Sequence, residues 1–388
     1  MAGTSSAAPA AANVFAYSDR QIEQAAAMLW PGAVVRLGVH TPSVTAYVRR
    51  VQVDGRALFA KVSLLGLSLV SVLRGTAGDW AQVRAAQVAY QGSPGTLLER
   101  EARGLDILRE EAGVPACRVA GHQNGVLFTE QVTGPTLADL LAKDPQRTGE
   151  LMTRAVVELT GLQRPAVARK VDEAAITERG IGSTFDRKFN GISGPTYLRK
   201  AGQAGDMLST LVLRLRRLRP TPAAGHRPVV YGDLKPDHVV FPDGADGRPV
   251  FLDPGLGRGR PQADPAKLIS RTVLGLIASA PDLVTADATA RGIEEFTDAL
   301  TADLAPGERA EWLRHLVVLW LMDTTNILST YLTSPPDLPL PEHAGKLTAR
   351  TERVCGLLET TSAGLAAGTG PRAVWQLALA GVVKATNR

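Results

Sequence analysis

The stretch Tyr231-Gly232-Asp233-Leu234-Lys235-Pro236-Asp237-His238-Val239-Val240-Phe241, followed by Phe251-Leu252-Asp253-Pro254-Gly255, constrains the chain more than any other part of it. The β-prone run Val229-Val230-Tyr231 stops at a glycine, which places Asp233 at a strand-to-loop exit, where catalytic groups commonly stand. A second run, Pro249 to Leu252, ends at Asp253. The two aspartates are 20 residues apart, and the chain between them reads as one hairpin with Asp243-Gly244 and Asp246-Gly247 at its tip. Phosphoryl transfer calls for such a pair of carboxylates: one accepts the proton of the attacking hydroxyl and the other holds Mg²⁺ against the phosphates. Taken singly, each aspartate is as well explained by a turn. Lys235 and His238 at fixed offsets make the joint pattern specific.

His238 follows Asp233 by five residues, the offset at which protein kinases carry a magnesium-binding asparagine. Oxygen donors suit this hard cation better than imidazole does, so His238 is expected to ligate the metal beside Asp253 with altered affinity. Lys235 is expected to reach the γ-phosphate and offset transition-state charge. Gly255-Leu256-Gly257-Arg258-Gly259 reads as a mobile segment after Asp253 rather than as a phosphate cradle.

Upstream, Val34 to Val39, Val44 to Val53 and Ala57 to Ser63 are β-rich runs separated by turn signals, a three-stranded meander. Lys61 lies in the third run, and a helix predicted over Thr96 to Glu111 carries Glu101 with Leu98, Leu105 and Leu108 at helical spacing. Lys61 and Glu101, 40 residues apart, are the candidate ion pair that orients the α- and β-phosphates. Neither GxxxxGK[ST] nor a GxGxxG between the first two strands occurs, so the loop His40-Thr41-Pro42-Ser43 is left to cover the phosphates, with Ser43 the candidate contact. Two more strands are expected near Ala116 to Gly121 and Val126 to Gln131. From about residue 132 the pattern turns helical, for instance over Pro265 to Ala280 and Arg309 to Tyr331, with a Pro-rich connection at Ser334 to Pro341. Leu64 to Gly95 and Ala168 to Gly205 read as added segments.

Composition removes other classes. With 45% hydrophobic and 21% charged residues the chain is neither disordered nor fibrous. No apolar run reaches the roughly 18 residues of a membrane span, and Met1 to Ala12 resembles a loose tail rather than a secretory signal. Cys117 and Cys355 are isolated, which suggests neither a disulfide framework nor zinc and fits a reducing cytoplasm. The net charge of +5 is dispersed, and no nucleic-acid reader motif accompanies it.

Over roughly residues 30 to 280 the chain resembles the aminoglycoside phosphotransferase family. The resemblance implies an α+β, bilobal protein-kinase-like fold, with a small β-rich N-lobe and a larger, mostly helical C-lobe. The division expected is a disordered tail at 1–12, a nucleotide-binding N-lobe at 13–131 and a catalytic, substrate-binding C-lobe at 132–388. It further implies ATP, or GTP in its place, with Mg²⁺; Lys61 and Glu101 as the phosphate-orienting pair; Asp233 as base; His238 and Asp253 as metal ligands; and Glu130 to Val132 as the adenine hinge. Arg100-Glu101-Ala102 and Asp264-Pro265-Ala266-Lys267-Leu268 look like family segments. Tyr231 departs from the usual histidine of a His-Gly-Asp start, whereas histidine at the offset of His238 also occurs in macrolide kinases.

The acceptor implied is a hydroxyl. Asp233-Leu234-Lys235-Pro236 is worded like Ser/Thr protein kinases, and the chain, without a fused lyase or cyclase and with extra segments at Lys61 to Gly75 and Thr184 to Leu198, resembles stand-alone kinases of class V lanthipeptide and thioamitide pathways. Those phosphorylate Ser/Thr of a ribosomal peptide before a separate lyase eliminates phosphate. A macrolide or an aminoglycoside is the alternative acceptor, the latter disfavoured by the basic chain. An inactive scaffold binding a peptide or partner enzyme is the reading of a different class.

Overall fold

The computed structural model describes residues 8–174, 180–190, 193–219 and 227–387. They form an α+β protein of two compact units, one β-rich and one mostly helical. The first unit holds the chain to Ile107 with Ala116–Val132 and Ser334–Pro341; the second holds Leu108–Pro115, Thr133–Thr333 and the chain from Glu342.

The first unit is built on one antiparallel sheet of order β1-β2-β3-β5-β4, with β1 Val35–Thr41, β2 Tyr47–Val53, β3 Arg56–Val62, β4 Val119–Gln123 and β5 Val126–Glu130. Strand alternation buries Tyr47, Val51 and Val53 of β2 with Leu58, Ala60 and Val62 of β3. Helix α1, Ala11–Leu29, covers them with Ile22, Ala25 and Ala26. Each large apolar side chain so removed from water contributes roughly 1.5–3 kcal/mol. The helix starts at Ala11, inside the segment read as a tail, because Asp337 accepts the Ala11 N–H at 2.9 Å and Val14 is buried. Residues 1–7 of that segment lie outside the described residues.

Leu64 to Gly95 is a core element rather than a decoration. It forms α2, Leu69–Leu73, and α3, Trp80–Gln91, whose Leu69, Val70, Val72 and Val83 share a second cluster with Val14 and Leu338 of the Pro-rich connection. The buried Gln87 of α3 accepts the Leu65 N–H at 2.7 Å and donates to the Ser63 carbonyl at 3.0 Å, which fixes the chain just after β3. The helix expected at Thr96 to Glu111 is α4, Leu97–Ile107, continued by a π-helical stretch, Leu108–Ala112. Gly113, at φ +68°, ends it.

In the second unit α5 Leu137–Lys143, α6 Thr148–Glu158, α7 Pro165–Glu173, α8 Ile181–Lys188, α9 Ser193–Arg199 and α10 Gly205–Leu218 precede four two-residue strands. These are β6 Val229–Val230, β7 Val239–Val240, β8 Val250–Phe251 and β9 Gly257–Arg258, paired β6 with β9 and β7 with β8. The region after Asp253 is therefore tied down: Val230 pairs with Gly257 and Val229 with Arg258. This corrects the reading of Gly255 to Gly259 as mobile, because backbone pairing and an Arg258–Asp172 ion pair of 2.5 Å hold it. Helices α11 Ala263–Ser279, α12 Leu283–Leu300, α13 Pro306–Leu332, α14 Glu342–Thr348, α15 Thr351–Ala366 and α16 Pro371–Thr386 complete the unit. The 27-residue α13 is buried almost continuously from Leu316 to Thr325, as expected of a helix packed on several sides. The added segment read at Ala168 to Gly205 falls in part, at 175–179 and 191–192, outside the described residues. Among the described residues no helix is long and apolar enough to cross a membrane.

Candidate active site

Asp233 leaves β6 through Gly232, whose φ of +84° only glycine adopts without strain. The turn presses on the chain after Asp253: Gly255 donates its N–H to the Tyr231 carbonyl at 2.9 Å, and a Cβ on Gly232 would stand 1.9 Å from the Gly255 oxygen. The buried Tyr231 donates its hydroxyl to the Leu252 carbonyl and packs its ring 5.6 Å from that of Phe251. The residue that departs from the His-Gly-Asp wording thus ties the strand before Asp233 to the backbone beside Asp253.

The exit is gripped from α11. Asp264 accepts the N–H groups of Tyr231 and Gly232, one on each carboxylate oxygen, both at 2.7 Å. One turn later Lys267 donates to the Gly232 carbonyl at 2.9 Å and to Asp233 Oδ1 at 2.7 Å. Asp233 Oδ2 faces the loop, where Lys235 Nζ stands 2.6 Å away and His238 Nδ1 3.9 Å. Burial alone would raise the Asp233 carboxyl, but Lys235, Lys267 and His238 together outweigh it and hold the group well below the usual carboxylate range. Asp264 shows the reverse: burial, opposed by the two N–H groups and Lys267 and reinforced by Asp233, pushes it up to about 6. In the sequence Asp264 and Lys267 stand out only as part of a family-like segment, with no local signal of these bonds.

Asp253 sits at φ +57°, a left-handed conformation that costs a non-glycine residue on the order of 1 kcal/mol. Strain of this kind gathers at functional sites. Its Oδ2 lies 3.6 Å from His238 Nε2, so the imidazole stands between the two aspartates. Among the described residues no cluster of three or more His, Cys, Asp or Glu is placed to hold a metal alone. Asp253 offers Mg²⁺ the carboxylate that suits it, the His238 imidazole beside it is a poorer donor, and the remaining positions suit waters and substrate phosphates.

In the first unit Lys61 of β3 and Glu101 of α4 form an ion pair of 2.7 Å with side chains only 9% and 14% exposed. Lys61 is opposite Val48 of β2 and Leu127 of β5. Ser43 turns inward on its own loop: its Oγ accepts the Thr45 N–H at 3.2 Å and stands 3.2 Å from the Thr45 hydroxyl. Glu130 ends β5 opposite Leu58, with its carboxylate 3.3 Å from Arg56, and Val132 is the last residue of that segment of the unit. Lys61 and Glu101 thus belong to the first unit with Ser43, Glu130 and Val132, and Asp233, Lys235, His238 and Asp253 to the second.

The sequence model of the phosphotransferase enzyme family matches residues 66–300. None of the functionally curated proteins matches the sequence. Among solved structures, the GDP and kanamycin complex of APH(2")-IIia is similar at 13% identity and a TM-score of 0.50, over 79% of this chain and 90% of that one. A macrolide 2'-phosphotransferase type I is similar at 13% identity over 95% of both chains, with a TM-score of 0.38. An aminoglycoside phosphotransferase from Streptomyces rimosus, in complex with ADP and streptomycin, is 19% identical over 79% of this chain and 98% of its own, with a TM-score of 0.41.

Proposed function

The chain belongs to the phosphotransferase enzyme family, and from that premise we propose that it transfers the γ-phosphoryl group of ATP, or of GTP in its place, to an alcohol hydroxyl. The observation that carries the proposal is the Asp233–Lys235 pair of 2.6 Å, a carboxylate and an ammonium beside the His238–Asp253 site. Asp233 accepts the proton of the attacking hydroxyl, and Lys235 moves to the γ-phosphate and offsets its charge. Lys61, held by Glu101, orients the α- and β-phosphates, while Glu130 to Val132 lie along the adenine and Ser43 adjoins the phosphates. Asp253 and His238 would hold Mg²⁺, which would supply charge neutralisation to the phosphates.

For the acceptor, the wording Asp233-Leu234-Lys235-Pro236 favours Ser/Thr of a ribosomal peptide, phosphorylated before a separate lyase eliminates phosphate. A small-molecule antibiotic is the competing acceptor: one similar structure holds kanamycin and another is a macrolide phosphotransferase. Incubation with Mg²⁺ and ATP against Ser/Thr peptides, a macrolide and kanamycin, read by intact mass, separates them. A phosphate on peptide alone, lost in Asp233→Asn, is the expected result; a phosphate on macrolide or kanamycin alone overturns the peptide reading.

A further inference from the structure

We propose that Lys267 is a positioning residue for Asp233: by occupying Oδ1 and the Gly232 carbonyl, it leaves Oδ2 as the oxygen that takes the acceptor's proton. This inference rests on the phosphotransferase reading above. Its ground is the unequal setting of the two lysines.

Lys267 projects from α11, only 13% exposed, with both of its bonds directed at the base and the peptide before it. Asp264, three residues earlier on the same helix, holds the N–H groups of Tyr231 and Gly232. One helix therefore fixes the backbone before Asp233 and one oxygen of its carboxylate. The acid to which Lys267 could otherwise turn, Asp323 of α13, is engaged by Arg271 at 3.0 and 3.3 Å. Lys235, by contrast, stands on the loop itself, 21% exposed on a flexible stem, and contacts Oδ2. A polyphosphate carries more charge than one carboxylate and draws an ammonium more strongly. When Lys235 moves onto the nucleotide, Oδ2 is uncovered and Oδ1 stays covered.

The step then balances. The acceptor O–H bond breaks and its proton passes to Oδ2, while the acceptor oxygen forms a bond to the γ-phosphorus. The bond from that phosphorus to the bridging oxygen breaks, its electron pair leaves with the nucleoside diphosphate, and Oδ2 later returns the proton to water. Without Lys267 the carboxylate is free to turn, and displacements on the order of 1 Å cost about 10²-fold in rate.

The experiment compares wild type, Asp233→Asn, Lys267→Met and Lys267→Gln in hydrolysis of ATP, with water as the acceptor, alongside ATP affinity by titration calorimetry and thermal unfolding. Methionine keeps most of the buried stem volume, and glutamine is the second variant should methionine fail to fold. The expected result is a fall in kcat of about 10²-fold for Lys267→Met with ATP Kd within about twofold of wild type, in a protein that melts lower than wild type yet is folded at the assay temperature. Wild-type kcat in the Lys267 variants, with Asp233→Asn inactive, overturns the role of Lys267 alone. A loss of kcat matched by an equal loss of ATP affinity overturns it as well, since Lys267 would then be structural. Full hydrolysis in Asp233→Asn overturns the phosphotransferase reading itself.

Discussion

Gly232 and Gly255 meet backbone to backbone: a Cβ on Gly232 would stand 1.9 Å from the Gly255 carbonyl oxygen, and Gly232 holds φ +84°. The turn that presents Asp233 and the chain that follows Asp253 are in this way pressed against each other.

Gly232→Ala should therefore be costly. A left-handed alanine loses on the order of 1 kcal/mol and the backbone clash roughly 1–3 more, so a loss of about 3 kcal/mol is expected. Thermal unfolding should show it as a drop of several degrees, with activity falling further because Asp233 moves with the turn. A variant melting like wild type would mean that the two segments separate freely.

Asp264 predicts a pH dependence of stability. Its carboxyl rises from an ordinary 3.8 to about 6 in the folded chain, with burial the largest cause. A raised carboxyl binds its proton more tightly folded than unfolded, so its contribution is present at low pH and is lost as pH rises from about 4 through about 6. Relative to Asp264→Asn, wild type should lose about 3 kcal/mol across that window, from 1.36 kcal/mol per pKa unit. Denaturant unfolding at several pH values measures the difference; parallel curves would show that Asp264 keeps its ordinary acidity.

The Lys61–Glu101 pair is buried enough for a lone partner to be expensive. Lys61→Met should cost about 3 kcal/mol by leaving Glu101 without its ammonium, and Lys61→Met/Glu101→Gln should recover much of that. Neither variant should regain ATP affinity, because the lysine proposed to meet the phosphates is gone from both. Calorimetric titration with unfolding curves tests the two halves, and equal stability of single and double variants would contradict the argument.

The proposed role of His238 at Mg²⁺ is open to substitution. Asparagine offers Mg²⁺ an oxygen, so His238→Asn should keep activity while lowering the Mg²⁺ concentration that half-saturates it, whereas His238→Ala should raise it about tenfold or more. Chelation with EDTA should stop turnover and leave the circular dichroism spectrum unchanged. Identical Mg²⁺ dependence in all three proteins would remove His238 from the metal site.

Much of this was legible in the sequence because it is written locally. The β-runs around Lys61, the helix of Glu101 and the strand ends at Asp233 and Asp253 follow from periodicity and turn chemistry within a few residues. The same local rules misplace residues whose environment comes from afar. Leu64 to Gly95 looks like an addition until Val83 and Leu338 are seen in one cluster.

The sequence by itself determined which chemical groups are available: two aspartates 20 residues apart, a lysine and a histidine at set offsets, and a strand lysine with a helix glutamate. Only the tertiary structure decided how Asp233 is held. Lys267 reaches its carboxylate, and Asp264 the Tyr231 and Gly232 N–H groups before it, from more than 30 residues away, on a helix placed by packing of Leu268, Ile269 and Val273 rather than by any local signal. Hydrogen bonds and burial between distant segments have no sequence period, so the partners of the base could be read only from the fold.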